Sequence, residues 1–132
     1  MKVYKFGGTS VGSPERLRAL IPLISDGELK IVVLSAMAGT TNELAEISGL
    51  FSSGDREGAA GRAEKLRARY HAIADELYSS STWGEKAHDL VDEHFNYIIA
   101  LFSREFSRHN EKRILARGEL LSTAMFHFLL SE

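Results

Sequence analysis

Two short runs rich in β-branched and aromatic residues, 2–6 (KVYKF) and 30–35 (KIVVLS), flank a single amphipathic segment. That spacing constrains the fold more than any other feature. Strand, helix and strand within the first 35 residues make a βαβ unit, whose strands run parallel and whose crossover is right-handed. The helix opens at Ser13-Pro14-Glu15: a capping hydroxyl, a proline whose missing N–H is harmless in the first turn, and an acid at the positive end. Leu17, Leu20, Ile21 and Ile24 form its apolar stripe, and Asp26-Gly27 closes it. The unbroken centre of the second run, Ile31 to Leu34, predicts a strand buried on both faces.

Parallel strands end at one edge of their sheet, and open α/β sheets bind ligands outside that edge. Two loops meet there. The first follows Lys5 and Phe6 and reads Gly7-Gly8-Thr9-Ser10-Val11-Gly12. Adjacent glycines let a ligand approach the backbone, two hydroxyls add polar groups, and Lys5 adds a compact positive charge. The set suits an anion, with phosphate foremost. It is not a Walker A loop, because the lysine precedes the glycines. The second loop, Ala36-Met37-Ala38-Gly39-Thr40-Thr41-Asn42, leads into a helix that Thr41 or Asn42 can cap.

Beyond residue 55 no strand candidate remains. Ala59, Ala63, Leu66, Tyr70, Ile73 and Leu77 mark one amphipathic helix; Ala87, Leu90, Val91, His94, Phe95, Ile98, Leu101, Phe102 and Glu105-Phe106 mark a second. Thr82 with Glu85 fits a capping box between them. The pair is a helical hairpin distant from the loops. A last helix spans about 111–130. The expected organisation is a ligand-binding βαβ part at 1–55, the hairpin at 56–110 and the final helix at 111–132. A two-stranded sheet is a poor domain, and the chain stops after an apolar helical stretch, so a piece of a longer enzyme is expected.

The formal net charge of −2 gives no global field for nucleic acid or an anionic membrane. There is no cysteine, which excludes disulfides and thiolate metal sites. No apolar run is long enough to span a bilayer and no signal-like segment opens the chain, so a cytoplasmic protein is expected. His71, His88, His94, His109 and His127 have no metal-ligand spacing and read as surface or core-edge residues; no metal ligand is assigned. Arg104, Arg108, Lys112, Arg113 and Arg117 read as a solvated basic face, with Arg117 a candidate to approach a substrate.

Three segments together resemble the opening motifs of aspartokinases: Lys5-Phe6-Gly7-Gly8-Thr9-Ser10, then Ser35-Ala36-Met37-Ala38-Gly39-Thr40-Thr41-Asn42, then Ala116-Arg117-Gly118-Glu119-Leu120-Leu121-Ser122-Thr123. Their order and spacing agree, long helical insertion included. The resemblance implies the amino acid kinase fold, an α/β/α three-layer sandwich, partial here and carrying the inserted hairpin. It implies ATP-dependent phosphorylation of the side-chain carboxylate of L-aspartate to 4-phospho-L-aspartate, the first step toward lysine, threonine and methionine. ATP with Mg2+ is the implied cofactor, and the longer enzyme is expected to be a homo-oligomer. By the same resemblance Lys5 is catalytic; Lys5, Phe6, Gly7, Gly8, Thr9 and Ser10 bind the nucleotide; Ser35, Thr41 and Glu119 bind the substrate.

The chemistry fits those residue types. Phosphoryl transfer needs positioning and charge neutralisation more than covalent work. An aspartate side chain, with a pKa of about 3.9 in model peptides, is already ionised at neutral pH and needs no general base. A lysine can bridge the phosphates and the transferred group, a glutamate suits an ammonium, and a helix start suits a carboxylate. Two other readings stand beside this one: a glutamate or acetylglutamate kinase, against which Thr40-Thr41-Asn42 and Arg117-Gly118-Glu119 argue, and a non-catalytic interaction module built on the hairpin.

Overall fold

The two strands pair in parallel with Lys2 opposite Lys30 and Phe6 opposite Leu34, so both end at the same level. The computed structural model describes residues 1–132. Its elements in chain order are β1 (Lys2–Phe6), α1 (Pro14–Ile24), β2 (Lys30–Leu34), α2 (Thr40–Ser52), α3 (Arg56–Leu77), α4 (Ser81–Leu101) and α5 (Arg108–Ser131). It is a partial α/β architecture: a small parallel sheet with five helices.

Local chemistry explains most boundaries. Ser13 Oγ accepts from the Arg16 N–H at 3.2 Å and starts α1. Gly54 has a φ of 88° and turns the chain between α2 and Asp55, whose carboxylate caps α3 through the Gly58 N–H at 2.9 Å. Two capping expectations fail, and one helix end shifts. Neither Thr41 nor Asn42 caps α2; the cap position is Gly39, at φ 80°, without a side-chain hydrogen bond. The Thr82–Glu85 capping box does not form, because α4 starts earlier, at a cap made by Ser80. Glu105 and Phe106 lie beyond the end of α4, and α5 starts at Arg108 under a Ser107 cap.

Helices α2, α3, α4 and α5 pack in a ring, each against two of the others, and α1 joins α3 and α5 beside it. One core cluster draws Leu17 from α1, Leu34 from β2, Leu44 and Ile47 from α2, Leu66 and Tyr70 from α3, Val91 and Phe95 from α4, and Ile114, Leu121 and Met125 from α5. Ala74, not Ile73, fills the lower core position of α3. Phe51 packs edge-on against Phe102 and Phe106, with ring centroids 5.2 and 5.4 Å apart. Arg18 donates to the Leu77 carbonyl at 3.1 Å, tying α1 to the end of α3.

The expectation that β2 is buried on both faces is not met. Val3 is 66% exposed, Ile31 49% and Val33 44%, and these residues share one face with Lys5 in the observed register. Leu34 on the opposite face is buried. An apolar run shows only that a strand prefers cover, and the elements of this chain cover one side.

Two histidines read as separate surface residues are joined. His71 Nδ1 and His88 Nδ1 lie 2.6 Å apart, His71 Nε2 is 2.8 Å from Asp92 and His88 Nε2 is 2.7 Å from Asp75. This chain of contacts stitches α3 to α4.

Candidate active site

The Ser35 N–H donates to the Phe6 carbonyl at 3.0 Å and extends the strand pairing by one step. The two loops therefore leave the sheet side by side. In the first, the Val11 N–H donates back to the Gly7 carbonyl at 3.2 Å, and the Arg16 guanidinium donates to the Thr9 carbonyl at 2.6 Å. Val11 is fully buried and anchors the turn. These contacts use carbonyl groups and leave donors over. The backbone N–H groups of Gly8, Thr9 and Ser10 donate to no acceptor in the protein. Gly7 has open space where a Cβ would stand, and neither Gly7 nor Gly8 has a positive φ. Packing and backbone conformation therefore leave the glycine at position 7 unexplained.

Lys5 is exposed on the open face of the sheet, opposite Val33, and takes part in none of the ion pairs of the chain. Phe6 is half-buried and packs against the core from the covered face. Thr9 and Ser10 are exposed.

A groove of about 280 Å3 runs between the loops, lined by Gly8 from the first and by Ser35, Ala36, Met37, Ala38, Gly39, Thr41 and Asn42 from the second. Three sequence-predicted residues, Gly8, Ser35 and Thr41, thus share one concavity. The N-terminus of α2 opens onto it. Because Gly39 offers no side-chain cap, the N–H groups of Thr41 and Asn42 keep no protein acceptor, and the positive end of the helix faces the groove.

Helix α5 supports the groove from below. A Cβ on Gly118 would lie 2.9 Å from the Ala36 Cβ and 3.1 Å from the Thr40 Cγ2, so the helix backbone approaches the loop as closely as a glycine permits. One turn on, the Ser122 hydroxyl donates to the Ser35 carbonyl at 2.7 Å. Glu119 lies between these contacts in sequence, is exposed, and does not line the groove itself. Arg117 points elsewhere: its guanidinium stacks 3.6 Å over the Tyr97 ring and contacts His94 Nδ1 at 3.0 Å. Burial, then the Arg117 charge, hold the His94 pKa below its ordinary value.

The hairpin is not distant from the loops. From α3 the Arg69 guanidinium donates to the Ala38 carbonyl at 2.6 Å, and the Tyr70 hydroxyl meets the Thr40 hydroxyl at 2.6 Å in the interior. Burial pushes the Tyr70 phenol pKa up. Sequence reasoning missed Arg69 and Tyr70 as residues around the site, and placed Ser122 in the third motif without a task. Tyr70 carried only a core signal, and no spacing rule links positions 31 or 87 residues apart.

A sequence model of the amino acid kinase family matches residues 1–132. The chain belongs to the amino acid kinase family. Within reach of that family, the chain is 38% identical over 126 residues to an aspartokinase of Chlamydia trachomatis, covering 93% of this chain and 26% of that protein. It is 30% identical over 131 residues to the lysine-sensitive aspartokinase 3 of Escherichia coli, covering 98% of this chain and 28% of the other. Among solved structures, E. coli aspartokinase III in complex with aspartate and ADP superposes with a TM-score of 0.75 at 27% identity, over 99% of this chain and 29% of that one. The same enzyme in complex with lysine and aspartate gives 0.74 at 26% identity, with the same coverage. The chain thus spans just over a quarter of the length of these relatives.

Proposed function

We propose that this amino acid kinase family chain carries the nucleotide-phosphate loop and part of the acceptor site of an aspartate kinase. The enzyme would transfer the γ-phosphoryl group of ATP to the side-chain carboxylate of L-aspartate, giving 4-phospho-L-aspartate. The observation that carries this reading is the groove itself. It joins Gly8 of the glycine loop to Ser35 and Thr41 of the second loop, at the sheet edge of a chain similar to an aspartokinase solved with aspartate and ADP.

Each residue then has a physical task. The unpartnered N–H groups of Gly8, Thr9 and Ser10, with the two hydroxyls, hold phosphate oxygens, and the open space at Gly7 admits them. Phe6 sets the loop against the core. Lys5, without an acidic partner, bridges the phosphates and the group in flight as negative charge crowds together. The helix start at Thr41 accepts a carboxylate, Ser35 borders it, and Glu119 takes the α-ammonium from the neighbouring helix turn. No cluster of three or more acidic or histidine side chains converges here. Mg2+ would accordingly be held mainly by the phosphates, where it neutralises charge.

The finer fold follows the same reading. The open sheet face bearing Val3, Ile31 and Val33 is the one a further layer of an α/β/α three-layer sandwich would cover. Residues 1–55 form the ligand-binding part, 56–110 the hairpin that braces it and 111–132 the helix beneath it. Because Lys5, Thr9, Ser10 and Glu119 are all exposed, water reaches the whole site, and the 132 residues alone turn over slowly. In the cell the reaction would open the route to lysine, threonine and methionine, in the cytoplasm and in a homo-oligomer.

A titration of the 15N-labelled chain tests the assignment. MgATP should shift amides within 5–10, and L-aspartate those within 35–42 and at Glu119. Shifts confined to other surfaces with both ligands would overturn it.

A further inference from the structure

We infer that Arg69 and Tyr70 of α3 are positioning residues for the acceptor amino acid, acting through the loop that holds Thr41. The inference rests on the acceptor-site reading above and goes beyond it, because it assigns a task to the hairpin. Thr40 and Tyr70 are both fully buried, and their hydroxyls lie 2.6 Å apart. Thr40 is the first residue of α2, so fixing its side chain inward turns its neighbour Thr41 outward to the groove.

Arg69 acts one step earlier. Its guanidinium donates to the Ala38 carbonyl at 2.6 Å and stands 3.5 Å from the point where a Gly39 Cβ would lie. A carbonyl in the groove wall would repel an incoming carboxylate; tied to a cation, its partial charge is covered. Gly39, at φ 80°, is the most adaptable link in the loop, and with no side-chain cap on α2 its conformation depends on these neighbours. The Tyr70 ring lies against Phe95 of α4, at 6.0 Å between centroids, so the brace is anchored in the core. Neither residue touches the glycine loop, so both should act on the amino acid and leave the nucleotide alone.

The test uses the natural polypeptide that carries this sequence, with Tyr70→Phe, Arg69→Met and the conservative Arg69→Lys, assayed for ATP- and aspartate-dependent acyl phosphate formation. Tyr70→Phe keeps the ring packing, and Arg69 is exposed, so Arg69→Met folds even if the tyrosine variant does not. Losing either hydrogen bond should raise the KM for aspartate about tenfold, with the KM for ATP within about twofold of wild type and Arg69→Lys restoring most of the loss. Unchanged aspartate KM in the variants overturns the inference, as does a parallel rise in both KM values, which would mean general loosening. A wild type that phosphorylates no acidic amino acid overturns the acceptor-site reading and this inference with it, a result distinct from an active wild type with indifferent variants.

Discussion

Gly7→Ala separates folding from ligand binding at one atom. A Cβ at Gly7 would meet nothing within 4 Å, and the residue lacks the positive φ found at Gly27, Gly39 and Gly54. An alanine there fits the native backbone and restricts the unfolded chain, which stabilises a protein by about 0.4–1 kcal/mol. The 132 residues set an unfolding entropy of roughly 0.28 kcal/mol/K, at about 2.1 cal/mol/K per residue. The ligand-free melting temperature should therefore rise by about 1–4 °C. Phosphate approach to the loop is another matter, because the methyl occupies the space left open beside the unpartnered N–H groups. A tenfold loss of nucleotide affinity, about 1.4 kcal/mol, would remove about 5 °C of the shift that saturating MgATP induces. Thermal melts of both proteins, with and without MgATP, read the two effects separately. An alanine variant whose MgATP shift equals that of wild type would refute the phosphate-loop reasoning. A ligand-free melting temperature several degrees below wild type would refute the claim that nothing in the fold requires this glycine.

Gly118→Ala should behave in the opposite way, since its Cβ would stand 2.9 Å from the Ala36 Cβ. An overpacking cost of about 1–3 kcal/mol outweighs a helix-propensity gain of about 1 kcal/mol, so urea denaturation should show a net loss of about 1 kcal/mol. The Asp92 pKa is held low mainly by the His71 hydrogen bond, and that of Glu132 by its Ser79 hydrogen bond, so both groups stabilise the fold above the ordinary carboxylate range. That stability is lost as pH falls through their lowered folded-state values, and Asp92→Asn should flatten the decline in melting temperature below about pH 4. His94 has the reverse demand on its charged form: burial favours the neutral ring, so acidification below about pH 6.5 costs stability as the unfolded chain takes up the proton first. An NMR titration should place its pKa below the ordinary histidine value, and a value at or above that would contradict the packing described here.

Local chemistry made the first part of the chain legible. The β1–α1–β2 unit, its parallel pairing and the shared level of the two loops all follow from strand propensity, one capped helix and the handedness of crossovers. Gly8 and Ser35 border the groove because they stand just past the strand ends, and Thr41 reaches it from the first turn of α2. What could not be read was decided across the fold. Arg69 of α3 reaches the Ala38 carbonyl beside the Gly39 start of α2, and the Ser122 bond to Ser35 depends on how α5 crosses the loop. His71 and His88 look isolated in sequence, yet two antiparallel helices bring their ring nitrogens together. The apolar run of β2 expressed a need for cover on both faces, and only the surrounding elements decide which faces receive it.

The central claim is that Lys5 and the two loops transfer phosphate to an aspartate carboxylate. The direct measurement incubates the natural polypeptide that carries this sequence with MgATP and hydroxylamine, offering L-aspartate, L-glutamate or N-acetyl-L-glutamate. Hydroxamate should form with aspartate, stay at background with the other two acids, and disappear in Lys5→Met while the melting temperature holds. Hydroxamate from glutamate or acetylglutamate instead, or undiminished turnover in Lys5→Met, would contradict it.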